Sequence, residues 1–217
     1  MIDLHMHTFF SDGELIPSEL MQRARHAGYT ALAITDHADS SNIDTLLHAV
    51  NQFIQDIRGK SDITILPGVE LTHVLPSLIP SLVEKSRKLG AKIVGVHGET
   101  IVEPCIPGTN KAAISAKPDF LAHPGLISDD DVKLAAEYGV CLEITTRRGH
   151  SLTNGHVAKL AKKYGAKLVI NTDSHAPGDL LSPSFRDAVA RGAGLDENDI
   201  RQIIKNSEEL VYKASQR

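Results

Sequence analysis

The chain has 217 residues, 41% hydrophobic and 23% charged, a balance that excludes a disordered tail, a collagen and a coiled coil. Lys and Arg number 23 against 27 Asp and Glu, a net charge of −4, so the basic footprint of a long-duplex nucleic-acid binder is missing. No window approaches the roughly 18 uninterrupted apolar residues of a membrane span, and the opening Met1-Ile2-Asp3-Leu4-His5 is unlike a secretory leader, which predicts a cytoplasmic protein without a membrane anchor.

In chain order, runs rich in Val, Ile and Leu predict strands at Ile2 to His7, Ala31 to Thr35, Thr64 to Val69, Lys92 to Val96, Phe120 to Ala122, Cys141 to Ile144 and Lys167 to Asn171. Helices fall between them. Pro17 and Ser18 start one that ends near Gly28, and Ile43, Leu46, Leu47, Val50, Ile54 and Ile57 form the apolar stripe of another. A third runs from about Ser81 to Leu89, with Gly90 as its stop. Ser128 ahead of Asp129, Asp130 and Asp131 is a capped acidic first turn, closed by Tyr138 and Gly139. Two last helices are predicted near Asp196 to Lys205 and Ser207 to Ala214. The segment Gly98 to Asn110, with Pro104 and Pro107, reads as a long loop of the kind that commonly carries function.

Short strands alternating with helices imply parallel pairing, and parallel strands buried on both faces read as near-continuous apolar runs, as these do. No GxGxxG turn follows the first strand; HMHTFFSDG does. The expected fold is therefore an α/β barrel, smaller than the usual eight-stranded form, occupying residues 1–217 as one domain.

Active sites of parallel barrels lie at the carboxyl ends of the strands. There the sequence places His5 and His7 with Asp12 in the next loop, His37 in ITDH, Glu70 in PGVE, His97 in GVH, His123 in LAHP, and Asp173 and His175 in NTDSHAP. His5 and His7 alternate on one strand, so both imidazoles project to one side. Six His and three carboxylates exceed what one tetrahedral zinc takes, so two or three divalent ions are implied, and imidazole with carboxylate and no thiolate fits Zn, Mn or Fe. Of the other histidines, His26 and His48 read as solvated helix residues, while His73, His150 and His156 stay open, as does Glu143. Cys105 and Cys141 belong to no CxxC pair and read as isolated, buried or half-buried thiols.

These residues carry a family resemblance. DLHMHTFFSDG resembles the first motif of the PHP (polymerase and histidinol phosphatase) superfamily, ITDH its second and PGVE its third, and His97, AHP around His123 and DSHA match the later ones. The resemblance spans Asp3 to about Ala176 and implies a distorted seven-stranded (β/α)7 TIM-like barrel, a trinuclear metal cluster and phosphoester hydrolysis. It implies that His5, His7, Glu70 and Asp173 hold one ion, that Glu70 bridges to a second held by His97 and His123, and that Asp12, His37 and His175 hold the third. Asp12 stands where some members carry a histidine, which leaves the metal preference open.

Three functions follow. A phosphoesterase would generate hydroxide on its ions for in-line attack at phosphorus, with Glu70, Asp173 and His175 as the catalytic residues. Its substrate would be histidinol phosphate, another small phosphomonoester or a nucleotide end, with long nucleic acid disfavoured by the acidic charge. Arg147 and Arg148, after the one strand end without an expected ligand, are the candidate substrate-binding residues, since a guanidinium grips phosphate bidentately. A metal-dependent amidohydrolase also begins with HxH but needs a bridging lysine, and Lys92 sits at the wrong end of its strand. A non-catalytic metal-binding accessory module is the third reading.

Overall fold

The computed structural model describes residues 1–217. Eight strands, all pairing in parallel, are β1 Ile2–Met6, β2 Ala31–Ile34, β3 His37–Ala38, β4 Thr64–Leu71, β5 Ile93–His97, β6 Phe120–Ala122, β7 Cys141–Thr145 and β8 Leu168–Asn171. Seven of them follow one another round the barrel in the order β1-β2-β4-β5-β6-β7-β8, and β3, two residues long, pairs beside β4. The ring is nearly closed. A parallel bridge joins Met6 to Ser174, and below it Asp3 and Asn171 span the seam, Asp3 accepting from the Thr172 N–H (3.0 Å) and Asn171 from that of Leu4 (2.9 Å).

The helices are α1 Pro17–His26, α2 Ile43–Ile57, α3 Ile79–Lys88, α4 Thr109–Ser115, α5 Asp129–Tyr138, α6 Asn154–Tyr164, α7 Pro183–Gly192 and α8 Glu197–Gln216. Local chemistry sets their ends: the Ser128 hydroxyl accepts from the Asp131 N–H (3.1 Å), and Gly139 closes α5 in the left-handed conformation at φ 71°. The two terminal helices expected from the sequence are one continuous helix, α8. Its polar midpoint does not break it, because the buried Ser207 hydroxyl donates to the Ile203 carbonyl one turn back and Asn206 donates to the Leu168 carbonyl. No helix is long and apolar enough to cross a membrane.

Alternation along the strands divides the core in two. Odd positions of β4 and even ones of β5 (Ile65, Val69, Leu71, Val94, Val96) join a large cluster against the helices. Leu66, Ile93, Phe120, Ala122, Cys141 and Val169 face the barrel axis, where Leu210 and Ala214 of α8 join them. These residues share strand parity with Glu70, His97 and Glu143, so the apolar interior continues directly into the polar groups at the carboxyl ends. Phe120 is the largest fully buried side chain, and it fills space that Gly95 leaves: a Cβ there would fall 2.4 Å from the ring. With its centroid 5.4 Å from that of His5, Phe120 is the floor of the site. Cys141 is buried beside it, and burial pushes its thiol up to about 12.

Candidate active site

The register of β1 against β2 shifts between Asp3 and Met6, one extra residue that marks a bulge. The bulge lets Leu4 join the interior cluster while His5 still reaches the site, with its ring 5.0 Å from that of His7. Glu70 comes from the end of β4, and β3 places His37 in register with it, so that His37 Nδ1 lies 2.7 Å from Glu70 Oε2. The predicted strand through Thr35 instead breaks after Ile34, and it is the unpredicted β3 that delivers His37. Between the two, the buried Asp36 accepts from Thr8 N, Thr8 Oγ1 and Ser11 Oγ at 2.6 to 2.7 Å, which fixes the loop that carries Asp12. His123 and Asp173 follow β6 and β8 with positive φ of 25° and 53°, and His73 has 52°. Such backbone is costly for these side chains and concentrates at functional sites.

The nine expected ligands converge. His5 Nε2 is 3.4 Å from Glu70 Oε1 and 3.6 Å from Asp173 Oδ1, and His7 Nε2 is 3.2 Å from that same Asp173 oxygen. His123 Nε2 lies 3.5 Å from Glu70 Oε1, and His97 joins this pair within 4.8 Å. Asp12 Oδ1 sits between His37 Nε2 (3.3 Å) and His175 Nε2 (3.2 Å). Ligands about 2.1 Å from one ion stand roughly 3.4 Å from each other in a tetrahedron, which is this spacing. His5 Nε2, both His7 nitrogens, Glu70 Oε1 and His123 Nδ1 are buried with no hydrogen-bond partner. Buried polar atoms rarely stay unsatisfied, and a donor set of imidazole and carboxylate fits divalent transition ions.

The electrostatics have the same origin. Burial drives the Asp173 carboxyl up to about 7 despite the His5 charge. Burial also disfavours charge on His37, but hydrogen bonds to Asp12 and Glu70 outweigh it and lift it to about 10. Glu70 is held well below the ordinary carboxylate range: burial opposes this, and the charge of His5 with the His37 hydrogen bond overcomes it. Further out, Glu143 accepts from His5 Nδ1 (2.9 Å), Asn171 Nδ2 (2.8 Å) and the His123 N–H (3.1 Å), which orients His5 with Nε2 toward the cluster.

Above the cluster is a cavity of about 330 Å³ with no apolar lining residue. Asp12, His37, His97, His123, Asp173 and His175 line it, together with Thr72, His73, Glu103, Arg147 and His150. Of the two candidate arginines only Arg147 faces it. Its Nη1 is 3.3 Å from Asp179 Oδ2, and that same oxygen accepts from the N–H groups of His175 and Ala176 (2.9 Å each). Arg148 is exposed and outside the lining, a correction to the expectation that both reach substrate.

Thr72 and Glu103 are the lining residues that sequence reasoning missed, and Glu103 is the charged one. Glu103 lies 2.9 Å from His97 Nε2 and 3.3 Å from both His73 and His150 Nε2, and the His97 hydrogen bond pulls it down to about 2. Its only signal was its place in the long loop after β5. His26 and His48 are exposed helix residues, and His156 donates to the Ile127 carbonyl (2.8 Å). Lys92 lines a separate cavity with Pro67 and Ala214 at the other end of the barrel, and no lysine lines the site.

Fold and site define a class of parallel α/β barrel whose imidazole and carboxylate groups gather at one mouth. The chain belongs to the PHP domain family, whose model matches residues 3–97. It is 47% identical over 93% of its length to an uncharacterized protein of Methanocaldococcus jannaschii, 94% of which is covered. It is 29% identical to ribonuclease P protein component 3 of Methanosarcina barkeri (89% of this chain, 81% of that protein) and 27% identical to a probable phosphatase of Clostridium botulinum (98% and 93%). Among solved structures, a chain in the cryo-EM structure of archaeal ribonuclease P with mature tRNA superposes with a TM-score of 0.77 at 17% identity, covering 100% of this chain and 92% of that one.

Proposed function

We propose that this protein is a metal-dependent phosphoesterase that hydrolyses a small phosphomonoester, of the histidinol phosphate kind, or a nucleotide end. The observation that carries the reading is the all-polar cavity with nine imidazole and carboxylate side chains at its base and a guanidinium in its wall. The likeness to a probable phosphatase supports the same class. His5, His7, Glu70 and Asp173 would hold one ion, Glu70 with His97 and His123 a second, and Asp12, His37 and His175 a third. Bound there, Zn, Mn or Fe ions supply water activation and neutralise charge on the phosphoryl oxygens.

The protein's own groups do the rest. Glu143, by accepting a hydrogen bond from His5 Nδ1–H, holds the tautomer whose Nε2 is free to ligate. Glu70 joins two of the donor sets and Asp173 and His175 border the cavity, which supports a catalytic role for these three. Arg147 is the phosphate partner, and Asp179 holds its guanidinium while also fixing the His175 backbone. Loss of a charged hydrogen bond costs about 1.5 to 3 kcal/mol. Arg147→Ala should therefore lower kcat/KM roughly ten- to a hundredfold with metal content intact. Arg148→Ala should stay within about twofold of wild type. Equal kinetics in both variants would remove Arg147 from substrate binding.

A second reading, a protein component of ribonuclease P, is favoured by the Methanosarcina relative and the 0.77 superposition. The net charge of −4 argues against it, since RNA binding rests on neutralising phosphates with Lys and Arg. Retention of RNase P RNA on the immobilised protein at physiological salt, with no phosphate release from any monoester, would favour that second reading.

A further inference from the structure

The exposed large apolar side chains are unevenly spread. All but Tyr138, Phe185 and Tyr212 sit in the segments that follow the carboxyl ends of strands, the end where the cavity opens. Four of them, Ile101, Val102, Leu126 and Leu152, are 45 to 72% exposed and lie on the loops after β5, β6 and β7. Those loops are packed together. Gly125 touches the Glu99 backbone so closely that a Cβ would fall 1.8 Å from its carbonyl oxygen. Thr100 Oγ1 is 2.8 Å from His150 Nδ1, and the Val102 methyls stand 3.3 to 3.4 Å from where a Gly149 Cβ would be. Asn110 clamps the group, accepting from the Glu99 N–H and donating to the Pro124 carbonyl (2.9 Å each). The four side chains thus crown a tied framework rather than a loose loop, and it borders the cavity directly, since Glu103 adjoins Val102 and His150 is two residues before Leu152.

We infer that this apolar shelf seats the leaving group of the substrate, which is therefore an alkyl or aromatic alcohol esterified to phosphate, not a sugar or polyol phosphate. The inference rests on the phosphoesterase reading and narrows it. No apolar residue lines the cavity, so the organic part of a substrate whose phosphoryl group sits on the ions finds apolar side chains only at the mouth. On this side the mouth presents apolar side chains together with the Glu103 carboxylate, which repels a second anionic group. Apolar groups left in water beside a polar cavity mark a binding surface, and a phenyl ring laid on them gains affinity in proportion to the area it buries.

The test compares 2-phenylethyl phosphate with glycerol 3-phosphate, both esters of primary alcohols, on the Mn-reconstituted full chain. A parallel calorimetric measurement compares binding of 3-phenylpropylphosphonate and propylphosphonate. The phenyl compounds should be favoured at least about tenfold in kcat/KM and in Kd. The Leu126→Asn/Leu152→Asn double variant should reduce both preferences to within about twofold while keeping its metal content and melting temperature. Val102→Asn alone should reduce them partway, which keeps the test open if the double variant does not fold. Turnover of both esters without preference, or a preference that survives the substitutions, overturns the shelf and leaves the phosphoesterase reading standing; the latter result would give these side chains to a protein partner instead. Preferential phosphonate binding that the substitutions abolish, with no hydrolysis of either ester, overturns the phosphoesterase reading and keeps the shelf.

Discussion

Glu70→Gln should lose more than one metal ion per chain and at least about a thousandfold in phosphatase activity, roughly 4 kcal/mol of barrier. Glu70 is fully buried, its Oε1 faces His5 Nε2 and His123 Nε2, and its Oε2 faces His37 Nδ1 and, at 4.0 Å, His7 Nε2. One carboxylate therefore stands between donor sets on β1, β3 and β6. The amide is close to isosteric, so packing against the interior survives, but it lacks the negative charge that two cations would share. Elemental analysis of the purified variant checks this. Loss of one ion with the others at full occupancy would make Glu70 an ordinary ligand.

The second large effect is on stability. His5 Nε2, the His7 nitrogens and Glu70 Oε1 are buried without hydrogen-bond partners, and burial of such atoms is costly until something satisfies them. A ligand that binds only the folded state at about 1,000 times its Kd adds about 4 kcal/mol per site. For a chain of this size each kcal/mol moves the melting temperature by about 2 to 4 °C. Emptying one site with a chelator should thus lower Tm by about 8 to 16 °C, and emptying two or three by at least about 16 °C, with recovery on adding Mn or Zn, by calorimetry. The same Tm with and without chelator would mean that the donor cluster is satisfied by the protein alone.

Much of this was legible in the sequence because parallel barrels put chemistry at one structural address, the residue after each strand. Reading His5, His7, Glu70, His97, His123, Asp173 and His175 off strand ends needed only the apolar runs to be found, and all seven expected strands are present within a residue or two of their predicted bounds. What escaped were features set by tertiary pairing. The bulge in β1 depends on its partner's register, and the two-residue β3 is too short to have a periodicity. Glu103 has no local signal, because its meaning comes from His73 and His150, contributed by segments 30 and 47 residues away in the chain. The choice between Arg147 and Arg148 likewise depends on Asp179, which draws one guanidinium to the cavity wall while the other stays in solvent. Continuous α8 was read as two helices because Asn206 and Ser207 resemble a break, whereas both are buried and bonded.

The measurement that bears most directly on the whole reading is a titration of Mn or Zn into the metal-free protein, with bound ions per chain and phosphate release from a phosphomonoester followed on the same samples. Binding should saturate at two or three ions, and phosphate release should begin only beyond the first. Saturation at a single ion, full activity with one ion bound, or no phosphate release at any occupancy would contradict it.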